Sequence, residues 1–397
     1  MNVYRRDFLQ ALGAGALAGC AGALVGCAGQ GVRPSAASKG PATQPPSSAP
    51  PRQGPPRRIL ILGGTGFIGP AIVAAARARG HTLTLFNRGK TNPQLFPDVE
   101  TILGERGADL GKLGGRDWDA VIDTWGRYPS GVRAAAELLR ARVGHYVFIS
   151  TISVYKLGRD DIDEGSPLLP TEPPPPEDMD LLHYGPLKVL SERAAQESMP
   201  GRVTVIRPGV IAGPHDPTDR FTYWPVRLQR GGEILVPDGP DYRMQFIDVR
   251  DLAEWIVTTI EARRFGTFNA VGPADPSLRA VLAACESGVA GSAQRPGRLV
   301  FVDGNWLDKS SAGGWGDFPL VVAGDADNRG FAHVSAARAL AAGLRLRSPA
   351  LTARDTLAFW SALPAAEQAR RNAKRPGLSP EREAELLQRW RTRGTPG

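Results

Sequence analysis

Two side chains that could move a proton lie four residues apart at Tyr184 and Lys188. Residues at this spacing share one face of a helix, so the phenol and the ammonium would lie side by side. A free tyrosine has a pKa of about 10, which is too high for a base at neutral pH, and a neighbouring positive charge favours the phenolate. A phenol beside an ammonium therefore has the chemistry that acid/base catalysis by a tyrosine at neutral pH requires.

A glycine-rich turn nearer the start of the chain could bind the partner that such chemistry needs. Apolar residues at 59–62 predict a buried strand, an Ala-rich helix follows to about Arg79, and a second apolar strand covers 82–86. Between the first strand and the helix lie Gly63, Gly64, Thr65, Gly66, Phe67, Ile68 and Gly69. Glycines at such a turn let the backbone approach a pyrophosphate and let the helix pack on the strand. This order of elements predicts a dinucleotide site.

Strands and helices continue to alternate beyond this unit. Strands are predicted at 99–103, 120–123, 145–150 and 203–207, and a helix at 130–142. The alternation predicts an α/β fold with a doubly wound parallel sheet of the Rossmann type and a smaller C-terminal substrate-binding portion. Ligands of such sheets bind beyond the carboxyl ends of the strands. The expected cofactor-binding residues at the ends of these strands are therefore Asn87, Arg88, Asp123, Ser150 and Pro208.

Motifs along the body of the chain occur in a recognisable order. They are GGTGFIG at 63–69, STISVY at 150–155, YGPLK at 184–188, RPGVIAGP at 207–214 and QFIDVRDLA at 245–253. Over roughly 58–363, the chain resembles the extended short-chain dehydrogenase/reductase family, also called NAD-dependent epimerases/dehydratases. The resemblance implies that Tyr184 is the acid/base and that Thr151 holds the substrate oxygen during hydride transfer. It also implies that Tyr184 and Lys188 bind the cofactor, with Lys188 bonding its ribose.

Two departures from that family bear on the ligands. The second strand ends in Asn87-Arg88 rather than in the acid that would bond an adenosine ribose. An arginine there favours a 2′-phosphate, so the expected cofactor is NAD(P), with NADP preferred over NAD. The residues at 123–126 differ from those of many relatives, which puts sugar-nucleotide substrates in doubt. The substrate is expected to be a sugar-like or other polar small molecule, and the choice among epimerase, dehydratase and reductase stays open.

The first residues predict export. Paired arginines at Arg5 and Arg6 precede a weakly apolar stretch at 8–26, which is typical of a twin-arginine signal. Cys20 and Cys27 both follow boxes that resemble lipoprotein cleavage sites; Cys27 is the expected lipidation site because Cys20 would leave a short apolar region. The alternative is a transmembrane anchor, which so many glycines and alanines disfavour. The protein is thus expected to be a membrane-anchored lipoprotein on the periplasmic or cell-surface side.

Domain boundaries follow from composition. Residues 1–27 form the signal, 28–57 a flexible Ser/Pro-rich tether, 58–363 the dinucleotide-binding fold with interleaved substrate segments, and 364–397 a basic helical tail. The long loop at 156–182 is predicted to be a structureless insertion that forms part of a substrate lid. Substrate contact and core packing are equally plausible interpretations of three aromatic or basic residues, Tyr223, Trp224 and Arg243.

The net charge of +8 raises the question of a nucleic-acid partner. Half of that charge lies in the tail, where an exposed amphipathic helix capped by Ser379 is the preferred explanation. No nucleic acid is therefore expected, and scattered histidines without a CxxC motif predict no metal site. Relatives often dimerise through two helices, so a homodimer is one expectation. Little free dinucleotide exists outside the cytoplasm, which predicts a tightly bound cofactor. The alternative function is a noncatalytic dinucleotide-binding or RNA-binding module of the same fold.

Overall fold

The computed structural model describes residues 54–124, 126, 128–172, 174–176, 181–239, 242–273, 276–323 and 329–393. The predicted signal, its lipidation site Cys27 and nearly all of the predicted tether lie outside the described residues. In the part of the chain that is described, no helix is both long and apolar enough to cross a bilayer.

A parallel sheet of seven strands forms the centre of the fold. The described strands are β1 (Arg58–Leu62), β2 (Thr82–Asn87), β3 (Glu100–Leu103), β4 (Ala120–Asp123), β5 (Tyr146–Ile149), β6 (Val203–Pro208), β7 (Val210–Ala212), β8 (Gly232–Asp238), β9 (Phe246–Asp248), β10 (Gly266–Ala270) and β11 (Gly297–Asp303). The order in the central sheet is β10-β6-β5-β4-β1-β2-β3, which reverses direction between β1 and β4. The predicted doubly wound α/β fold is confirmed.

Helices cover both faces of this sheet. The described helices are α1 (Gly69–Ala78), α2 (Pro129–Leu139), α3 (Leu181–Ser198), α4 (Tyr223–Arg230), α5 (Val249–Glu261), α6 (Leu278–Val289), α7 (Gly304–Lys309), α8 (Gly314–Asp317), α9 (Ala337–Ala341), α10 (Pro349–Ala362), α11 (Ala365–Asn372) and α12 (Pro380–Thr392). Alternate residues of β1 point to opposite faces, so Ile59 joins the core under α1 and α5, and Leu60 joins the core under α2 and α3. Strands buried on both faces are apolar throughout, which is why the sequence displayed them so clearly.

The smaller C-terminal portion has its own core. β8 pairs with β11 and β7 pairs with β9 in two short parallel sheets, and α4, α6 and α10 pack beside them. Tyr223 and Trp224 are 3% and 0% exposed in this core. The structure therefore favours the packing interpretation of these two residues over substrate contact. Arg243 pairs through its main chain with Val322, and its buried Nε atom has no hydrogen-bond partner among the described residues.

The tail is less exposed than the sequence predicts. α12 begins after the predicted cap, and the Ser379 hydroxyl accepts from the Arg382 amide at 3.2 Å. One face of α12 is nevertheless buried, because Glu383, Leu386 and Leu387 are 3%, 0% and 5% exposed. The helix therefore packs on the C-terminal portion instead of standing in solvent.

The loop at 156–182 also differs from its prediction. Ile162 forms a parallel bridge with Val334, and its amide donates to the carbonyl of His333 at 3.1 Å. Gly330 donates to Leu157 at 2.7 Å, so the first half of the loop is anchored to 329–335. The prediction of a structureless insertion was wrong for this half, because the anchoring residues come from a distant part of the chain. A lid function stays a prediction.

Candidate active site

The glycine turn has the backbone that only glycine tolerates. Gly63 and Gly64 have φ angles of +119° and +98°, in the left-handed region that side chains disfavour. A Cβ atom at Gly69 would lie 2.3 Å from the carbonyl carbon of Gly64, so α1 begins directly against the turn. α1 has no side-chain cap, which leaves its first amides to bind an anion. These features fit the pyrophosphate of a dinucleotide.

Other turn residues support this cradle. Thr65 is 7% exposed, and its main-chain carbonyl accepts from the side-chain Nδ2 of Asn92 at 3.0 Å. Gly66 is exposed with open space where a side chain would stand, while Phe67 and Ile68 are partly buried. The turn is therefore held by a hydrogen bond to the rest of the protein at Thr65, and it is accessible from outside at Gly66.

The turn lies at the point where the strand order reverses. Leu62 of β1 is in register with Asp123 of β4, and a Cβ atom at Gly63 would lie 2.3 Å from the Thr124 hydroxyl. That hydroxyl donates to the Leu62 carbonyl at 2.8 Å. Crevices at such a reversal are the usual ligand sites of doubly wound sheets.

The end of β2 carries an amide and a guanidinium. Asn87 accepts from the Gly89 amide at 2.8 Å and donates to the Gly63 carbonyl at 3.4 Å, so it ties β2 to the turn. The Arg88 side chain is 40% exposed, and its Nη1 lies 3.8 Å from Glu105 Oε1. Arg88 is thus placed on the rim of the site with one carboxylate nearby.

Asp123 has protein partners for its whole carboxylate. Arg106 donates to both oxygens at 2.7 and 2.6 Å, and the Tyr146 hydroxyl donates at 2.7 Å. Burial by itself would raise the pKa of Asp123, but the charge and hydrogen bonds of Arg106 outweigh it and the pKa is lowered. The side chain of Asp123 therefore links the loop after β3 to β4. Because both of its oxygens are bound by other side chains, the predicted contact with the cofactor would be made by the Asp123 main chain, and it stays a prediction.

Lys188 lies beneath the ends of β4 and β5. Its Nζ donates to the carbonyls of Gly126 and Ile149 at 2.8 and 2.6 Å, and it lies 4.1 Å from the ring centre of Phe148. The side chain is buried, with 4% exposure of the residue. The structure therefore holds an ammonium in a fixed position at the carboxyl edge of the sheet.

Tyr184 lies one turn earlier on α3, beside the turn that carries Thr151. A Cβ atom at Gly185 would lie 2.4 Å from the Ser153 carbonyl oxygen, so the helix touches the 151–155 turn at this position. Thr151 is 9% exposed, and its hydroxyl accepts from the Ser153 amide at 3.1 Å. Tyr184, Lys188 and Thr151 are therefore brought to one end of the sheet.

The hydroxyl of Ser150 is engaged beneath this site. It donates to Glu192 Oε1 at 2.5 Å, and Glu192 also accepts from Arg207 Nε and Nη2 at 2.9 and 2.6 Å. Glu192 and Arg207 are 3% and 4% exposed. Pro208 follows Arg207 and is buried opposite Ala270 of β10. The Ser150 side chain thus joins β5 to α3 and β6, and its predicted cofactor contact stays a prediction.

The same network reaches the loop predicted to be a lid. Arg207 Nη1 donates to the Tyr155 hydroxyl at 2.8 Å, and that hydroxyl donates to Asn269 Oδ1 at 2.7 Å. The Asn269 amide donates to Glu164 Oε1 at 2.7 Å. One buried chain of hydrogen bonds therefore connects the ends of β5, β6 and β10 with the acidic loop.

Sequence reasoning missed Gly185, Glu192 and Arg106. Glu192 lies four residues after Lys188, and this continuation of the same helix face is the signal that could have found it. Gly185 and Arg106 gave no such signal, since their roles depend on contacts with distant segments. Among the described residues, no group of three or more His, Cys, Asp or Glu could hold a metal ion.

Part of the chain matches a known protein family. Residues 115–271 match the model of the NAD dependent epimerase/dehydratase family. The matched segment contains Thr151, Tyr184 and Lys188 and begins after the glycine turn.

Two curated proteins resemble parts of the chain. The chloroplast stem-loop binding protein of 41 kDa b from Arabidopsis thaliana is 30% identical over 214 residues, which are 49% of this chain and 53% of that protein. The chain thus spans about half the length of this relative. The epimerase family protein SDR39U1 from Bos taurus is 28% identical over 249 residues, 57% of this chain and 78% of that protein.

Solved structures share the fold. WbmH of Bordetella bronchiseptica, solved with NAD+, has a TM-score of 0.56 at 16% identity and covers 77% of this chain and 99% of its own. UDP-glucuronic acid 4-epimerase of Bacillus cereus, solved with NAD, has a TM-score of 0.52 at 16% identity and covers 76% of this chain and 96% of its own. At this identity the likeness establishes only the fold that the chain shares with these two proteins.

Proposed function

We propose that the protein is an NAD(P)-dependent epimerase/dehydratase-like oxidoreductase that acts on a hydroxyl or carbonyl of a sugar-like or other polar small molecule. The observation that carries the proposal is the contact of the Tyr184–Lys188 helix with the Thr151 turn, at the same carboxyl edge of the parallel sheet at which β1 leads into the glycine cradle. The family match at 115–271 and the fold shared with epimerases support it.

Each residue has a role that its position supports. A bound dinucleotide would supply the hydride acceptor and donor. Tyr184 would accept the proton of a substrate hydroxyl during oxidation and return it during reduction. Lys188, fixed by two carbonyls, would favour the phenolate and bond the ribose. Thr151 would hold the substrate oxygen in place.

The preference for NADP rests on the end of β2. An amide at Asn87 removes the acid that selects an unphosphorylated ribose, and Arg88 offers a cation on the rim. The nearby Glu105 carboxylate would oppose a 2′-phosphate, while the structural relatives named above were solved with NAD. Titration of the apoprotein with NAD+ and NADP+, repeated with Arg88→Gln, decides the preference. Selective loss of NADP+ binding in the variant supports it.

Export and anchoring extend the proposal to the location of the protein. Cys27 would carry the lipid, the cofactor would enter the folded chain before export, and it would stay bound through each turnover. Mass spectrometry of the membrane fraction tests both points, since it detects a lipidated Cys27 and a co-purifying dinucleotide. A soluble Cys27→Ser protein is expected, whereas purification without dinucleotide contradicts tight binding. A homodimer is tested by sedimentation of the same sample.

The central experiment compares wild type with Tyr184→Phe. We expect Tyr184→Phe to keep most of its dinucleotide affinity, because the variant retains the glycine cradle, Lys188 and the aromatic ring. Conversion of hydroxyl and carbonyl compounds in a broad panel should fall by at least about 10²-fold in the variant, the usual contribution of acid–base catalysis. Equal conversion by both proteins would overturn the catalytic proposal.

RNA binding is the second candidate. It is favoured by the partial similarity to a chloroplast stem-loop binding protein and by the net charge of +8. A gel-shift titration with stem-loop RNA at two salt concentrations tests it, since phosphate contacts weaken with salt. Salt-sensitive binding of RNA, together with no conversion of any compound in the substrate panel, would replace the enzyme proposal with an RNA-binding function.

A further inference from the structure

The edge of the central sheet that lies opposite the candidate active site is rich in arginine. The N-terminal ends of the parallel strands and the C-terminal ends of the connecting helices form this edge. Seven arginines flank the starts of β1, β5, β6 and β10 and define the surface called the basic edge below: Arg57, Arg58, Arg140, Arg142, Arg202, Arg263 and Arg264. Because these strands have four to six residues, about 13–20 Å separate the basic edge from the carboxyl edge.

Hydrogen bonds place these arginines side by side. Arg202 Nη1 donates to the Arg140 carbonyl at 2.9 Å and so joins the end of α2 to the start of β6. The Thr204 hydroxyl donates to the Arg264 carbonyl and joins β6 to the start of β10. The five strands β1, β4, β5, β6 and β10 are neighbours about 4.8 Å apart, so the basic edge extends over about 20 Å. The basic edge is therefore one continuous surface.

Carboxylates offset only part of its charge. Asp117 lies 3.3 Å from Arg142, and Asp119 accepts a main-chain amide at 2.7 Å. Glu261 is buried and pairs with Arg79 at 2.9 Å. Toward β3 the sheet edge is balanced, because two carboxylates there pair with two guanidinium groups. In the part of the chain that the structure describes, five arginines of the basic edge form no ion pair: Arg57, Arg58, Arg140, Arg263 and Arg264.

These five arginines also differ from an arginine that has a structural task. The Arg202 guanidinium donates to the carbonyls of Arg140 and Val143 at 2.9 and 3.0 Å, as basic side chains near helix C-termini often do. Among the described residues, the guanidinium groups of the five donate no hydrogen bond, and four of the five residues are exposed while Arg57 is half-buried. Leu138, in the last turn of α2, adds an apolar side chain that is 36% exposed. The basic edge therefore offers unengaged charge to a partner.

The chain enters the folded body at the same edge. The Thr82 amide donates to the Arg57 carbonyl at 2.9 Å, and the Arg57 amide donates to His81 Nδ1 at 3.1 Å. These bonds fix the last residue of the tether that the sequence predicts at 28–57. A flexible chain of that length has an r.m.s. span of about 30 Å. A lipid on Cys27 would therefore hold the basic edge within reach of a bilayer surface.

We propose that the basic edge docks the folded body on an anionic bilayer surface and that the candidate active site faces away from the membrane. This inference rests on the proposed function only in taking Cys27 as the lipid anchor. Guanidinium groups stay charged and bind phosphate through two parallel hydrogen bonds. A lipid chain and a polybasic patch are a usual pair of signals for stable membrane attachment. A bilayer fits this edge better than a nucleic acid, because the predicted anchor joins the body here.

Docking at this edge determines which way the candidate active site faces. The acidic loop at 156–165 lies at the carboxyl edge, since Glu164 Oε1 accepts from the Asn269 amide at 2.7 Å near the end of β10. The glycine cradle follows β1 at the same edge. A bilayer on the basic edge leaves these segments in water, where a polar substrate and its product can exchange freely.

The first test measures binding of the full chain carrying Cys27→Ser to phosphatidylcholine vesicles with and without phosphatidylglycerol. The substitution removes the lipid, so the attraction of the basic edge is measured without the anchor. Residues 1–53 are identical in all proteins compared, so differences among variants belong to the folded body. We expect binding to anionic vesicles to exceed binding to neutral ones and to weaken as salt is raised, because salt screens exposed charges.

A triple variant tests the basic edge itself. It carries three substitutions at exposed arginines that form no ion pair among the described residues: Arg140→Gln, Arg263→Gln and Arg264→Gln. We expect binding to anionic vesicles to be at least about 30-fold weaker, since each basic residue near such a surface contributes about fivefold.

A matched control removes the same charge from exposed positions of the C-terminal portion. It carries Arg279→Gln, Arg354→Gln and Arg370→Gln. These positions are far from the basic edge, and charges more than about 8 Å from a surface are largely screened at physiological salt. Binding to anionic vesicles should therefore change by less than about threefold.

The second test maps the orientation of the lipid-anchored wild-type protein and depends on no variant. Vesicles that contain phosphatidylglycerol with a photoreactive headgroup are irradiated, and mass spectrometry identifies the labelled peptides. We expect labels on the segments at 138–144 and 261–266 and none on the acidic loop.

Several results would overturn the inference. They are equal binding to neutral and anionic vesicles, equal losses in the triple variant and its control, and labels on the acidic loop. Loss of stem-loop RNA binding in the triple variant, with vesicle binding unchanged, would assign the basic edge to a nucleic acid instead.

The proposed function is judged by other measurements on the same proteins. Dinucleotide binding and substrate conversion should be the same in the triple variant and in wild type, because the substitutions lie at the opposite edge of the sheet. A protein that docks but converts nothing would keep the basic edge and reject the oxidoreductase. A chain without lipid on Cys27 that still prefers anionic vesicles would keep the basic edge and reject the anchor.

Discussion

Gly185 touches the main chain of Ser153 so closely that a side-chain carbon at position 185 would lie 2.4 Å from the Ser153 carbonyl oxygen. The same carbon would lie 2.6 Å from a methyl group of Leu169. This approach lets α3 set Tyr184 beside the turn that carries Thr151. The glycine in YGPLK therefore allows the close approach of α3 to the Thr151 turn, which a larger residue would prevent.

Gly185→Ala should separate α3 from the Thr151 turn. We expect the variant to lose about 1–3 kcal/mol of unfolding free energy through overpacking and to convert substrate more slowly. Urea unfolding and initial rates measure the two effects. Gly291→Ala is the control, since its new carbon would meet open space. Equal losses in both variants would contradict the special role of Gly185.

Gly66→Ala and Gly69→Ala should behave differently. A carbon at Gly66 meets nothing within 4 Å, whereas one at Gly69 meets the Gly64 backbone at 2.3 Å. Gly66→Ala should therefore keep its stability within about 0.5 kcal/mol but bind dinucleotide at least about tenfold more weakly, because its methyl group would face the pyrophosphate. Gly69→Ala should lose stability as well. Thermal unfolding with and without NADP+, and again with NAD+, measures both effects. Normal affinity in Gly66→Ala would place the pyrophosphate elsewhere.

Glu192→Gln should destabilise the fold strongly. It removes a buried charge that accepts from Ser150 and pairs with Arg207, and breaking such a pair costs about 3–5 kcal/mol. Glu197→Gln on the same helix is the matched control. Its carboxylate is 59% exposed and pairs with Arg133, so a change of less than about 1 kcal/mol is expected. Denaturant titration of both proteins gives the comparison, and a small loss in Glu192→Gln would show that the network is dispensable.

His145 should make stability depend on pH. Burial lowers the pKa of its imidazole to about 3, while Nε2 lies 2.6 Å from the Thr204 hydroxyl. Between pH 6.5 and about 3 the unfolded chain binds a proton that the folded chain does not, so the contribution is present above pH 6.5 and is lost as the pH falls. The slope is at most about 1.4 kcal/mol per pH unit.

His145→Gln isolates this effect. The difference in unfolding free energy between wild type and variant should shrink steadily from pH 6.5 to lower pH, because the variant has no imidazole to protonate. Urea titrations at several pH values measure it. A difference that does not change with pH would show that the buried imidazole ionises normally.

The sequence displayed the features that depend on local chemistry. Strands buried on both faces are runs of apolar residues, and the turn at Gly63 and Gly64 needs positive φ angles, so both were visible as residue types. Tyr184 and Lys188 were visible because helix geometry alone places residues four apart on one face. These local signals were enough to predict the doubly wound sheet and the end of it where a site would form.

Tertiary structure decided everything that needs a partner far along the chain. The sequence did not indicate that Arg106 would bind both carboxylate oxygens of Asp123, nor that Glu383 of α12 would be buried against Arg227. No local pattern marks such pairs, because a buried charge reveals its partner only when the chain folds and the cost of desolvation forces the two together. The sequence therefore identified the residues that can react, and packing in the tertiary structure determined the surroundings that hold them.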